Sequence, residues 1–466
     1  MKTIRSTVEV LSPAELELIH RSTLELLESV GLHVPCREVL NICREHGAVI
    51  DPDTEVMKIP ASVMEAFLSR MRADCRKQYE ADLENREIRG GISTQVFFID
   101  YGTDTRRYGL RDDNLKGFAL VDTLECFGTN NPVVVPSDVP YPVSDVISFA
   151  DMFKYAKKPG GTYILTPKSA KYIIELCRLM GREAWYLLET ISPLSFKKDS
   201  LEMALQFAKA GQNLSIGPMV MGGSTGPVTP AGTMTLENTE VLASLFIVHA
   251  LTGKYSWYSA PVHSTDPTTM LCSFGSPNQA YYSLVAAQLS RYYGIAAMTN
   301  AALTDAMRPD FQAGIEKGIL ASVNFLAGCR SMGAQGIVGA DQGNSLEQLV
   351  LDNEWMRFYN YIMRGFEVTQ ETIGLDTIKE VGIRGNFLAE DHTVEHLRES
   401  FLPSSLFPRE DWASWINGGK RTVYDRAHEY VTKATAECKD AAPRVSASVC
   451  EEIDRITAAA EKEILG

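Results

Sequence analysis

From Ile295 to Gly318 the chain reads IAAMTNAALTDAMRPDFQAGIEKG, and this stretch decides how the rest is organised. An apolar run, Ile295 to Ala302, stops at Thr304 and Asp305. Arg308, Pro309 and Asp310 crowd the short connection that follows. Asp310 stands where a side-chain oxygen caps a new helix, with Glu316 and Lys317 in its first turns. The unit predicted is a strand, a charged loop and a helix. In α/β proteins such strand-exit loops carry the chemistry. Arg308 offers a planar cation suited to a bidentate grip on a carboxylate.

The same alternation spreads outward in both directions. Strand-like runs are predicted at 132–136, 162–166, 190–195, 214–221, 255–259, 295–299 and 334–338. Helices are expected near 143–157, 169–188, 200–210, 235–252, 278–293, 311–328 and 345–364. Seven strand–helix units fit a (β/α)8 TIM-type barrel, and almost equally a doubly wound open sheet. For an eighth strand the candidate is Gly385 to Leu388, unless the hairpin expected in QVFFIDYGTDTRRYG, turning at Gly102-Thr103-Asp104, completes or covers the barrel. Ahead of it, Ser12-Pro13 with Glu15 makes a capping box opening a helix that Gly31 stops. Further helices are expected over 37–46 and 61–71, and another from about Asn114 to Cys126. The division expected is 1–87 helical extension, 88–390 hairpin plus barrel, and 391–466 C-terminal helical cap packed on it as one unit.

The chain has 466 residues, with Lys plus Arg 45, Asp plus Glu 59 and net charge −14. That balance speaks against nucleic acid and anionic membranes as partners. No apolar run spans a bilayer, and MKTIRSTVEV carries no signal-peptide apolar region, so a cytoplasmic protein is expected. Nine cysteines include no C-x-x-C pair and are read as reduced thiols.

Two short motifs compete for attention and are set aside. His392–His396 matches the H-x-x-E-H zinc pattern, but no third ligand is evident, and no metal is expected. Gly222–Gly226 matches G-x-S-x-G, but Pro227 and Pro230 prevent the immediate helix that a nucleophile elbow needs. The glycines there also suit a loop that lets another backbone or a partner's cofactor come close. Tyr258, His263 and Phe274 fall on one strand-exit loop, where aromatic faces can hold a quaternary ammonium. Asp305 and Asp341 can face such a cation or cap helices.

T-D-A-M-R-P-D-F-Q-A-G-I-E-K from Thr304 and S-L-E-Q-L-V-L-D-N-E from Ser345 resemble the trimethylamine methyltransferase family. So do L-S-P-A-E-L-E-L-I-H-R-S-T-L-E-L-L-E-S-V-G from Leu11 and G-G-S-T-G-P-V-T-P-A-G from Gly222, in the same order along the chain. The resemblance implies a barrel and transfer of a methyl group from a methylamine to a corrinoid's cobalt on a separate protein. Some members depend on pyrrolysine, which this sequence lacks. Members without it imply a quaternary amine such as glycine betaine or proline betaine, with L-carnitine or γ-butyrobetaine as alternatives. The substrate-binding set expected is Arg308 for the carboxylate, Tyr258, Phe274 and His263 for the ammonium, and Asp305 and Asp341 as helpers. Gly222, Gly223, Ser224 and Thr225 are expected to face the partner's cofactor; no cofactor is expected on this chain alone, and a homo-oligomer is expected. The competing classes are a betaine-binding protein without turnover, and a barrel lyase or hydrolase using Asp305 and Asp310.

Overall fold

The computed structural model describes residues 8–85, 87–103, 105–300, 302–329, 331–438 and 441–466. Asp104 of the expected hairpin turn, Ala301 of the opening apolar run and the first seven residues of MKTIRSTVEV lie outside them.

A helix forms over Pro13–Ser29 because Ser12 and Glu15 close a reciprocal capping box, with proline at the first turn. Its apolar stripe, Ile19, Leu24 and Leu27, is buried against the long helix Pro230–Thr252. Each such side chain contributes about 1.5–3 kcal/mol on burial. The extension is more than helical. Leu32–His33, Val49–Asp51 and Val56–Lys58 form a three-stranded antiparallel sheet between Arg37–Glu45 and Ala61–Glu84. Ala61–Glu84 runs well beyond residue 71 because no helix breaker occurs before Asn85.

The central sheet is parallel, in the order Tyr258–Ser259, Ala297–Thr299, Ser331–Gln335, Arg89–Ile92. Trp185–Leu188 pairs in parallel with Asn213–Ile216. Single parallel bridges continue the layout at Gly90 with Phe127, Gln95 with Val134, and Asn130 with Pro159. Among the described residues these ladders do not join into a closed sheet, so the structure is a mixed helix and strand fold without the closed barrel expected. The segment before the hairpin, not Gly385–Leu388, supplies an added parallel strand, Arg89–Ile92; residues 385–388 form no strand and are exposed. The hairpin itself forms, Phe97–Ile99 against Arg106–Tyr108, and attaches to Gly343–Asn344.

Three strand assignments shift: 132–136 holds only the isolated bridge of Val134 to Gln95. Residues 162–166 form no strand, and 190–195 holds only isolated bridges; the strand there is Trp185–Leu188. Trp185 and Leu187 are exposed between buried Tyr186 and Leu188, so a period-two strand carries apolar residues on both faces and reads like the end of the helix before it. That helix stops at Leu179. At the far end, Val423–Thr435 packs on Leu346–Arg364, and Ala447–Leu465 buries Ile453, Ile456 and Ala460 beside Pro167–Leu179.

Candidate functional site

The helix Phe311–Leu326 begins where Asp310 Oδ1 accepts from the Ala313 N–H at 3.1 Å. This cap fixes the loop before it. Asp305 is not a helix cap. Its carboxylate reaches back some thirty residues and accepts three hydrogen bonds, from Ser273 Oγ at 2.6 Å, Phe274 N at 2.8 Å and Gly275 N at 3.0 Å. Glu316, one turn into the helix, holds the same loop from behind. Its Oε2 accepts from Thr304 Oγ1 at 2.5 Å and Asp305 N at 2.8 Å. Next to it Lys317 is buried and paired with Asp352 at 3.0 Å, where Gly336 N, Gln348 and Trp355 also donate to the carboxylate. Three neutral donors and a cation meet the conditions under which a buried charge is tolerated.

The strand His263–Thr265 lies parallel to Met221–Gly222 and antiparallel to Cys272–Ser273. His263 is fully buried, with Nδ1 3.0 Å from Gln279 Oε1 and its ring 4.4 Å from Phe274. Burial pushes its pKa down to about 4, so the imidazole is neutral at pH 7. A glutamine oxygen accepts only, which puts the proton on Nδ1 and leaves Nε2, buried and unpartnered, as an acceptor. Phe274 packs in a small apolar cluster with Leu303 and Ile337, flanked by Cys272 and Ala340. Asp341, at φ 59, is held among the described residues by a single donor, Gln95 Nε2 at 3.0 Å. Burial raises its pKa to about 6. Cys272 is half-buried, and burial first, then the charges of Asp305 and Asp341, push its thiol up to about 12.

The structure therefore brings His263, Phe274, Asp305 and Asp341 together. Arg308 stands exposed on the same connection, three residues beyond Asp305. Tyr258 is not with them. It is fully enclosed, its hydroxyl donating to Asn238 Oδ1 at 2.8 Å and its ring stacked on Tyr293. That hydroxyl belongs to a buried polar chain through Asn238 to Thr23, Tyr293 and His20. Packing is its role.

Gly222 must lack a side chain, because a Cβ there would sit 2.7 Å from Thr233 Oγ1 and 2.9 Å from Tyr282 Oη. Ser224, Thr225 and Gly226 turn back on Met221 O, and Gly223, at φ 90, is exposed beside Ser224. The next helix starts only at Pro230, so Ser224 is not a nucleophile elbow. His392 and His396 lie on Asp391–Ser400, and among the described residues no group of three His, Cys, Asp or Glu side chains could hold a metal ion.

Gln95, Cys272 and Glu316 escaped the sequence reading. A lone polar residue opening the apolar run QVFFI was the available signal for Gln95. Glu316 looked like an ordinary helix acid, and Cys272 like one of nine scattered thiols. A cavity of about 260 Å³, walled by Tyr79, Trp257, Ala297 and Gly328, opens at the other end, where the parallel strands begin. It carries none of this group.

Among curated proteins the chain is similar to the trimethylamine methyltransferase of Desulfitobacterium hafniense strain DSM 10664 / DCB-2, 28% identical over 438 residues, covering 90% of this chain and 87% of that protein. The glycine betaine methyltransferase of D. hafniense strain Y51 is 25% identical over 443 residues, covering 90% of each. The trimethylamine methyltransferase of Methanosarcina thermophila is 26% identical over 460 residues, again 90% of each. The solved monomethylamine methyltransferase of Methanosarcina barkeri is a looser likeness, with TM-score 0.43 and 12% identity over 93% of this chain and 95% of that one. This chain is a methyltransferase. It belongs to the trimethylamine methyltransferase family, whose sequence profile matches residues 1–464.

Proposed function

We propose that the chain moves a methyl group from a quaternary amine bearing a carboxylate, of the glycine betaine or proline betaine type, to Co(I) of a cognate corrinoid protein. The observation that carries this reading is the gathering of a buried carboxylate, Asp341, and a neutral imidazole, His263, with Phe274 and Asp305 at one set of strand-exit loops, Arg308 standing exposed on the connection that Asp305 begins. The similarity to a glycine betaine methyltransferase supports the substrate class, and the sequence contains no pyrrolysine. The parallel strands and bridges, read round the chain from Arg89–Ile92 to Ser331–Gln335, also support an eight-membered (β/α) arrangement behind those loops.

The chemistry assigns modest tasks to each side chain. A methyl on a quaternary nitrogen already has a neutral amine as its leaving group, so no acid catalyst is needed. Arg308 grips the substrate carboxylate. Asp341, ionised above about pH 6, attracts the ammonium, and a neutral His263 does not repel it. A single carboxylate suits the reaction, because cation binding that is too strong in the ground state opposes a step that removes the charge. Cys272 stays protonated in this setting, so a nucleophilic thiolate does not compete for the methyl group.

The corrinoid, when its carrier docks, supplies the nucleophile. Exposed apolar side chains on the connections around the site, Val228, Met270, Leu271, Met307 and Phe311, offer that carrier a surface, and Gly223 without a side chain permits close approach. The test is incubation with glycine betaine, proline betaine, L-carnitine, γ-butyrobetaine or trimethylamine and a Co(I) corrinoid protein. Demethylated product from a carboxylated quaternary amine is expected. Thermal stabilisation by a betaine with no product would make the chain a binding protein instead.

A further inference from the structure

The cavity at the strand-entry end has a floor and walls of different kinds. Ala287, Ala297 and Ala327 form the floor, packed in one small apolar cluster with Leu284 and Cys329, and Gly328, at φ 107, extends it. They come from the helix Asn278–Tyr293, the strand Ala297–Thr299 and the turn after Phe311–Leu326. Small residues on three elements leave the space above them open.

The walls are large, apolar and uncovered. Trp257, just ahead of the strand Tyr258–Ser259, is 51% exposed. A second wall is the end of Ala61–Glu84. That helix buries Met64, Phe67, Leu68 and Met71 and no residue after them, yet Tyr79 and Leu83, one turn apart, line the cavity. None of the three wall residues belongs to a buried apolar cluster of the described residues. An aromatic side chain can bury about 150–250 Å², and Trp257 leaves much of that in water.

The polar group among them is Arg291. Its Nη1 donates to Ala327 O at 2.6 Å and its Nη2 to Glu9 at 3.3 Å, so among the described residues two of its five N–H donors are engaged. Burial raises the Tyr79 pKa and the charge of Arg291 lowers it, which sets phenol and guanidinium in one corner. The acids of the lining have partners of their own: Asp82 accepts from Gln78 at 2.8 Å, and Glu87 pairs with Arg89 at 3.0 Å. A cavity of ~150 Å³ accepts a benzene ring. The 260 Å³ here admits two fused rings.

We infer that this cavity is a second binding site, for a flat bicyclic aromatic molecule that presents a carbonyl or carboxylate oxygen to Arg291. The charge of Arg291 disfavours a cation in the same place. The site lies at the opposite end of the strands from the loops of Asp305 and Asp341, and the inference does not rest on the proposed substrate or reaction.

Calorimetric titration of the purified chain with 2-naphthoate, with and without glycine betaine, tests it. One molecule per chain is expected to bind, with affinity changed less than twofold by the betaine. The ammonium of 2-naphthylmethylamine, the same rings without an acceptor, should bind at least tenfold more weakly. No binding of 2-naphthoate, equal binding of the two probes, or displacement by the betaine would overturn the inference. Trp257→Ala is expected to weaken 2-naphthoate at least tenfold, and an unchanged affinity would place the probe elsewhere and end the proposal. Hydrogen exchange on the unsubstituted protein reads the same wall if that variant fails to fold. Bound 2-naphthoate is expected to slow the amides of 79–85 at least tenfold, and unaltered exchange there would also overturn the assignment.

Discussion

Asp305 and Asp341 belong to neighbouring loops, both flank Cys272, and both look alike in sequence, yet the structure treats them in opposite ways. Asp305 is saturated by three donors from the Ser273–Gly275 turn. Among the described residues Asp341 has one donor, and its burial disfavours its charge. A carboxylate with all its partners inside the protein holds architecture together; one with few is available to a cation from outside. The number of donors, not the residue type or the address in the loop, separates clamp from site.

The sharpest way to break this contrast is Asp305→Ala. It strands the donors of Ser273, Phe274 and Gly275, and a loss of about 3 kcal/mol in urea unfolding is expected. A loss below about 1 kcal/mol would mean the clamp is ornamental.

Asp341 makes a pH-dependent counterpart. Its folded pKa, about 6, lies above its ordinary value of 3.8, so the neutral form is the one folding favours. The associated stability is present below about pH 4 and is lost as pH rises through about 6, on the order of 2 kcal/mol. Asp341→Asn is expected to flatten that decline in unfolding experiments between pH 4 and 7. On the proposed function, the wild type should bind a quaternary amine more tightly above about pH 6 than below it, and the variant should not. A pH-independent affinity in the wild type would detach Asp341 from the substrate.

Arg308→Ala is expected to raise KM for a carboxylated betaine roughly tenfold, a cost of about 1.4 kcal/mol. An equal rise for trimethylamine, which has no carboxylate, would contradict the assigned grip. The smallest effect is assigned to Cys272→Ser: kcat/KM should stay within about twofold, because the protonated thiol takes no part. A large loss would put the sulfur into the chemistry.

Much of the helical framework was legible because helix ends announce themselves locally. The Ser12 box, the Asp310 cap and the glycine stops at 253 and 294 mark boundaries within a few residues. Strands were less legible where burial on one face was not matched by polarity on the other, as at Trp185–Leu188. GNFL at Gly385 looked strand-like only because its apolar residues resemble a core segment; in the fold they are exposed. At the site, chain neighbourhood revealed that Arg308 and Asp305 share a loop, but not that Asp305 would turn to residues thirty positions earlier. Tyr258 was misplaced for a related reason. Its strand position was read correctly, but Asn238, which claims its hydroxyl, lies on a helix twenty residues away in the chain.

Gly275 and Glu316 carry a consequence for the evolution of these loops. A Cβ at 275 would lie 2.2 Å from Glu316 Oε2, which also secures Thr304 and the Asp305 backbone. Any descendant acquiring a side chain at 275 must first shorten or move the acid at 316, and then find another tether for Thr304. The two positions are inherited as one decision, and drift at either is barred until the other yields.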